Sequence, residues 1–103
     1  MPAVSTNFSN YKVILVGLAR KNLQKIPSQE KLKIFRKLNL LTTNQNTLDI
    51  KKLKNFQTHY RIRSGDYRII YKNDTKKQEF LIALICHRQE VYKFLKNLGQ
   101  TFS

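Results

Sequence analysis

The sequence predicts a single α+β domain with element order β-α-α-β-β-β-α, in which an N-terminal helical hairpin packs on a small twisted antiparallel sheet and a short helix closes the chain. Three observations carry that prediction. The chain has 103 residues, 41% of them hydrophobic, which suffices for one core and not for two. Two helix-spaced stretches stand side by side in the first half of the chain, and three strand-like stretches separated by turn residues follow. Helices segregated from strands in this way gather on one face of an antiparallel sheet and leave the other face partly open.

Tyr11 to Val16 (YKVILV) has the β-branched and aromatic content of an opening strand, and Gly17 permits the turn after it. From Leu18 the spacing becomes helical, with Ala19, Leu23 and Ile26 on one stripe, until Pro27 stops the helix. Ser28 is placed to cap a second helix. Glu30 suits its positive N-terminal end, and Leu32, Ile34, Phe35, Leu38 and Leu41 form one broad apolar face. The polar run Thr42 to Thr47 ends the hairpin.

Three strands are then expected, at His59 to Arg63, Tyr67 to Lys72 and Phe80 to His87. Ser64, Gly65 and Asp66 give the first two a hairpin turn, and Asn73-Asp74 starts the next turn. FLIALIC is apolar without alternation, as in a central strand covered on both faces. Glu90 to Leu98, with Val91, Phe94, Leu95 and Leu98 inward, reads as a helix ended by Gly99. Residues 1–10 form a polar tail, 11–98 the domain and 99–103 a second tail.

Twenty Lys and Arg against six Asp and Glu give a formal charge of +14, far more than solubility requires, so a polyanion or an acidic binding protein is the expected partner. The charge falls in two blocks. Residues 11–38 place basic side chains at helical spacing, and residues 51–72 place them at strand intervals among tyrosines. The longest apolar run is far short of the ~18 to 20 residues of a membrane span, and no signal peptide is readable at the start. One cysteine permits no internal disulfide, and with two histidines at unhelpful spacing no metal site is expected. A reducing cytoplasm, no membrane partner and no cofactor are therefore expected.

In HYRIR the period of two puts Arg61 and Arg63 on one side of the sheet. Arg68 stands in a strand otherwise rich in Tyr and Ile, where a charge needs an anion or a carboxylate such as Asp66 or Asp74. His87 and Arg88 emerge where the apolar run stops, with Tyr92 one helical turn on. This collection suits RNA cleavage by the RNA's own 2′-hydroxyl, which needs alignment, neutralisation of phosphoryl charge and two proton transfers, and neither a metal nor a protein nucleophile. Arginine's fork supplies the charge, and a histidine, lysine or tyrosine moves the protons. Each residue also has a plainer reading: Arg61 and Arg63 as solvated edge charges, His87 as a strand-end residue, Tyr60, Tyr67 and Tyr71 as sheet packing, and Cys86 as core.

The stretches K-K-L-K, Y-R-I-R-S-G-D-Y-R-I-I-Y and H-R-Q-E-V-Y-K, preceded by a strand and A-R-K-N-L-Q-K-I-P, resemble the RelE/ParE superfamily of toxins from type II toxin–antitoxin modules over about Tyr11 to Leu98. The resemblance implies the RelE-like microbial RNase fold. In its RelE-like branch it implies a metal-independent, ribosome-dependent endoribonuclease, or mRNA interferase, that cuts mRNA in the A site and inhibits translation. By position it implies Arg68, His87, Arg88 and Tyr92 as the catalytic set, with Arg68 and Arg88 for transition-state charge and His87 or Tyr92 for proton transfer. Lys52, Lys54, Arg61 and Arg63 would hold RNA phosphates. The implied partners are the ribosome, mRNA and a small, partly disordered RelB-like antitoxin, the toxin being monomeric on its own and hetero-oligomeric with the antitoxin. Two other functions stay open: a ParE-like inhibitor that binds DNA gyrase, and a non-toxic basic RNA-binding protein.

Overall fold

The computed structural model describes residues 8–54 and 58–97. The chain runs β1 (Lys12–Leu15), α1 (Gly17–Gln24), α2 (Ser28–Thr43), a single 3-10 turn (Gln45–Thr47), β2 (Ile50–Lys52), β3 (His59–Ser64), β4 (Tyr67–Asp74), β5 (Glu79–His87) and α3 (Arg88–Asn97). The five strands form one sheet in the order β1-β5-β4-β3-β2. Two features differ from expectation. The first half of the K-K-L-K stretch is an edge strand, with Lys51 opposite Arg61 and Lys52 opposite Tyr60. The sheet is also mixed, because β1 runs parallel to β5 with Ile14 opposite Leu81, while the other pairings are antiparallel. A helical hairpin between β1 and the remaining strands provides the long crossover that a parallel partner requires.

The α1–α2 hairpin covers one face. Ala19, Leu23, Ile26, Ile34, Leu38 and Leu41 meet Ile62, Ile69, Tyr71, Phe80, Ile82 and Ile85 in the main core. Truncating any of the large members to alanine removes roughly 2 to 5 kcal/mol of stability. Leu32 and Phe35, expected on this face, are 59% and 46% exposed. At about 100° per residue, Leu32 lies about 160° and Phe35 about 100° around the helix from Ile34, outside the stripe. Ser28 is the first helical residue and not the cap. Pro27 occupies that place, with no side-chain cap bond, and its carbonyl accepts the Lys31 N–H at 2.9 Å.

The absence of alternation in β5 has a second cause besides burial on both faces. Pairing slips between Ile70, opposite Leu84, and Tyr71, opposite Ile82, so Ala83 is the extra residue of a bulge. The bulge lets Phe80, Ile82 and Ile85 share the hairpin face while Leu84 faces the other way. Beyond the end of β1, the Ile85 N–H donates to Asn22 Oδ1 of α1 at 3.1 Å, a side chain acting where a strand is missing.

The second face is covered in part. Val91 of α3 packs with Ile70 and Leu84, flanked by Leu53 and Cys86, in a smaller cluster. Phe94, Leu95, Leu98 and Gly99 lie outside the residues whose side chains are described. At the N-terminus Phe8, within the stretch expected as tail, packs edge-on to Tyr11 and Phe80 at centroid distances of 5.0 and 5.2 Å.

Candidate functional site

Between β2, β3, β4 and α3 lies a cleft of about 640 Å³, lined by Asp49, Lys51, Leu53, Arg61, Arg63, Arg68, Ile70, Arg88, Gln89, Val91 and Tyr92. Strand register explains the membership. Lys51, Arg61 and Ile70 are neighbours across three strands, as are Arg63, Arg68 and Cys86, so both rows project from the face opposite the helical hairpin. Their alternating companions Ile62 and Ile69 fill the main core. α3 then adds Arg88, Gln89, Val91 and Tyr92 as the other wall. Five cations thus face a single acidic lining residue, Asp49.

Local contacts fix several of these groups. Arg61 Nη2 lies 3.6 Å from Asp49 Oδ1, with the Arg61 side chain largely buried, and the Asp49 carbonyl accepts the Arg63 N–H at 3.1 Å. Lys37 Nζ of α2 donates to the Arg63 carbonyl at 3.2 Å and joins the hairpin to the end of β3. Arg68 pairs with neither Asp66 nor Asp74. Its Nη1 donates to the carbonyls of Gly65 and Tyr67, at 2.9 Å each, so neutral dipoles hold it and its charge stays uncompensated. Burial lowers the Arg68 pKa from its ordinary value, and the adjacent Arg63, Arg61 and Arg88 lower it further. An arginine remains protonated under such pressure, and crowded cations of this kind are relieved by binding an anion.

The expected residues divide between the two faces. Arg61, Arg63, Arg68, Arg88 and Tyr92 come together in the cleft, Tyr92 being 70% exposed. His87 does not join them. It stands opposite Tyr67 on the hairpin side, edge-on to that ring at 5.8 Å, and its Nδ1 accepts the Gln89 N–H at 3.3 Å. Strand alternation is the reason: His87 shares the hairpin face with Ile85, two residues before it, while Cys86 between them lies opposite Arg68 on the cleft face, and Arg88 reaches the cleft only because α3 begins there. Lys52, opposite Tyr60, is likewise on the hairpin side, and Lys54 does not line the cleft. Lys51 takes the place expected of them. Lys51, Asp49 and Gln89 were not distinguishable by residue type, and only the pairing of β2 with β3 selects Lys51. Cys86 lies half-buried beneath the cleft, its thiol pushed up to about 11, first by burial and then by Glu90.

Residues 13–92 match the model of the ParE toxin of the type II toxin–antitoxin system parDE. The toxin RelE3 of Methanocaldococcus jannaschii is 31% identical over 87 residues, covering 81% of this chain and 97% of that protein. Among solved structures, the RelB–RelE antitoxin–toxin complex of Methanococcus jannaschii matches with a TM-score of 0.64 at 28% identity, over 79% of this chain and 96% of that one. The archaeal RelE–RelB complex of Pyrococcus horikoshii matches with a TM-score of 0.66 at 26% identity, over 76% and 94%. With the sequence match spanning β1 to α3 and the same helical hairpin, sheet and terminal helix in these relatives, the chain belongs to the RelE/ParE superfamily of type II toxin–antitoxin toxins.

Proposed function

We propose that this toxin is a ribosome-dependent endoribonuclease that cuts mRNA by promoting attack of a 2′-hydroxyl on the adjacent phosphorus. The observation that carries the reading is the cleft itself, in which Lys51, Arg61, Arg63, Arg68 and Arg88 surround a space open to a strand of RNA, with Tyr92 at its wall. In the reaction the 2′-oxygen gives up its proton and forms a bond to phosphorus as the bond to the 5′-oxygen breaks and that oxygen takes up a proton, giving a 2′,3′-cyclic phosphate and a 5′-hydroxyl. Negative charge grows on the non-bridging oxygens. Arg68, whose charge no carboxylate offsets, and Arg88 meet that charge, and Arg61, Arg63 and Lys51 hold flanking phosphates. Tyr92 lines the cleft where His87 does not, which supports Tyr92 for proton transfer in this reading, and its exposed ring also offers a surface on which a base stacks. No step needs a metal. The reaction belongs in the cytoplasm, where ribosomes are, and the partner that silences it is a RelB-like antitoxin, as in the archaeal complexes.

The match to the ParE toxin model favours one other reading, inhibition of DNA gyrase by protein binding. Primer extension on a reporter mRNA with purified ribosomes separates the two. Wild-type protein is expected to produce discrete cuts only when ribosomes are present, and the Arg68→Ala/Arg88→Ala protein to lose at least 100-fold in rate while keeping its melting temperature, in line with removing charge stabilisation from a transition state (~10²-fold or more per group). Intact mRNA together with blocked supercoiling by gyrase would establish the second reading.

A further inference from the structure

The β3–β4 turn does more than reverse the chain. Gly65 adopts φ +58°, which lets Ser64 to Tyr67 close tightly and aims successive carbonyls toward the cleft end of the sheet. Three consecutive residues of this turn hold the two arginines of the proposed reaction. The carbonyls of Gly65 and Tyr67 accept from Arg68 Nη1. Between them, the Asp66 carbonyl accepts the Arg88 N–H at 2.7 Å, satisfying a donor at the start of α3 that no helical carbonyl can reach. The Asp66 carboxylate lies 3.8 Å from Arg88 Nε. Arg88 opens α3 directly after β5, and beyond the β4–β5 pairing this turn ties both its backbone and its side chain beside Arg68.

We infer that Asp66 is a positioning residue for Arg88, holding that guanidinium through Nε so that its two Nη groups are presented to the phosphoryl oxygens alongside Arg68. The inference rests on the nuclease reading above. The different treatment of the two arginines supports it. Arg68 is fixed by neutral carbonyls and keeps its full charge, whereas Arg88 faces a carboxylate with both side chains more than half exposed, at 56% and 70%. So exposed a pair is held loosely and is screened by water, so it directs the guanidinium without withholding it from a stronger anion. A turn-forming role alone would be met equally by asparagine, which is as well suited to such turns.

The decisive variant is therefore Asp66→Asn, which keeps the backbone carbonyl and the turn chemistry and removes only the charge. Its kcat for ribosome-dependent cleavage is expected to fall roughly 2- to 5-fold, which is as much alignment as an exposed, water-screened pair supplies. KM should stay unchanged or fall, because a competing anion has been taken from Arg88. Asp66→Glu should recover part of kcat. In ¹⁵N-labelled protein without RNA, the Arg88 Nε–H resonance should move in Asp66→Asn while that of Arg68 stays in place. Wild-type kcat in Asp66→Asn, or an unmoved Arg88 resonance, overturns the assignment. If the wild-type protein does not cut mRNA, the nuclease reading fails by itself, and the resonance still decides whether Asp66 holds Arg88.

Discussion

Arg68 and His59 show how a side chain's surroundings, more than its type, determine what it contributes. Arg68 is crowded by three other arginines and stabilised by peptide dipoles, a combination that sequence proximity to Asp66 does not reveal. His59, at the start of β3, has its pKa lowered first by burial and then by Lys72. With the folded value below the unfolded value of about 6.5, the unfolded chain binds the proton first as pH falls. Its contribution to stability is thus present above pH ~6.5 and lost as pH drops toward the folded value. Melting temperatures of the wild-type protein are expected to decline across that window, and those of His59→Gln to decline less, as thermal denaturation between pH 7.5 and 5 would record. At this scale the sequence was legible where strand alternation applied. It identified Arg61 and Arg63 as one row, and it grouped His87 with Arg88 because the two are adjacent, although His87 ends β5 on the hairpin face and Arg88 opens α3 on the cleft side.

Among the elements, β5 has the most demanding environment, with neighbours on both edges and cores on both faces. Its bulge at Ala83 frees the strand from strict alternation, and Asn22 supplies an acceptor to Ile85 where β1 has ended. Asn22→Ala leaves that partly buried amide without its acceptor and is expected to cost about 1 to 3 kcal/mol in urea denaturation, more than an exposed helical substitution would. The helices and the three long strands were readable from periodicity and turn residues. β2 was not, because three residues ending in two lysines carry no strand signal, and only pairing with β3 makes Ile50–Lys52 a strand. The parallel docking of β1 was hidden for a related reason: direction in a sheet depends on the crossover and not on the strand's own residues.

Taken whole, the molecule separates its charge onto two surfaces. The hairpin carries Arg20, Lys21, Lys25, Lys33 and Arg36 in solvent, away from the cleft that gathers Lys51 and the four arginines. If the five cleft cations each neutralise a phosphate of single-stranded RNA, log K against log salt concentration should have a slope of about −3.5. Arg63→Ala should reduce its magnitude by ~0.7, as fluorescence anisotropy with a short non-cleavable RNA would measure. A net charge of +14 announced a polyanion in the sequence but not its address. The address depends on register between strands that are distant along the chain.

The parallel pairing of β1 with β5 also governs the order in which the protein can come into being. Lys12 to Leu15 have no partner strand until Glu79 to Ile82 exist, and the cleft has no second wall until Arg88 to Tyr92 follow. During synthesis the first strand must therefore wait unpaired until residues 79–82 have been made. A nascent chain short of residue 88 thus carries the cations of β2, β3 and β4 with no opposite wall to enclose them.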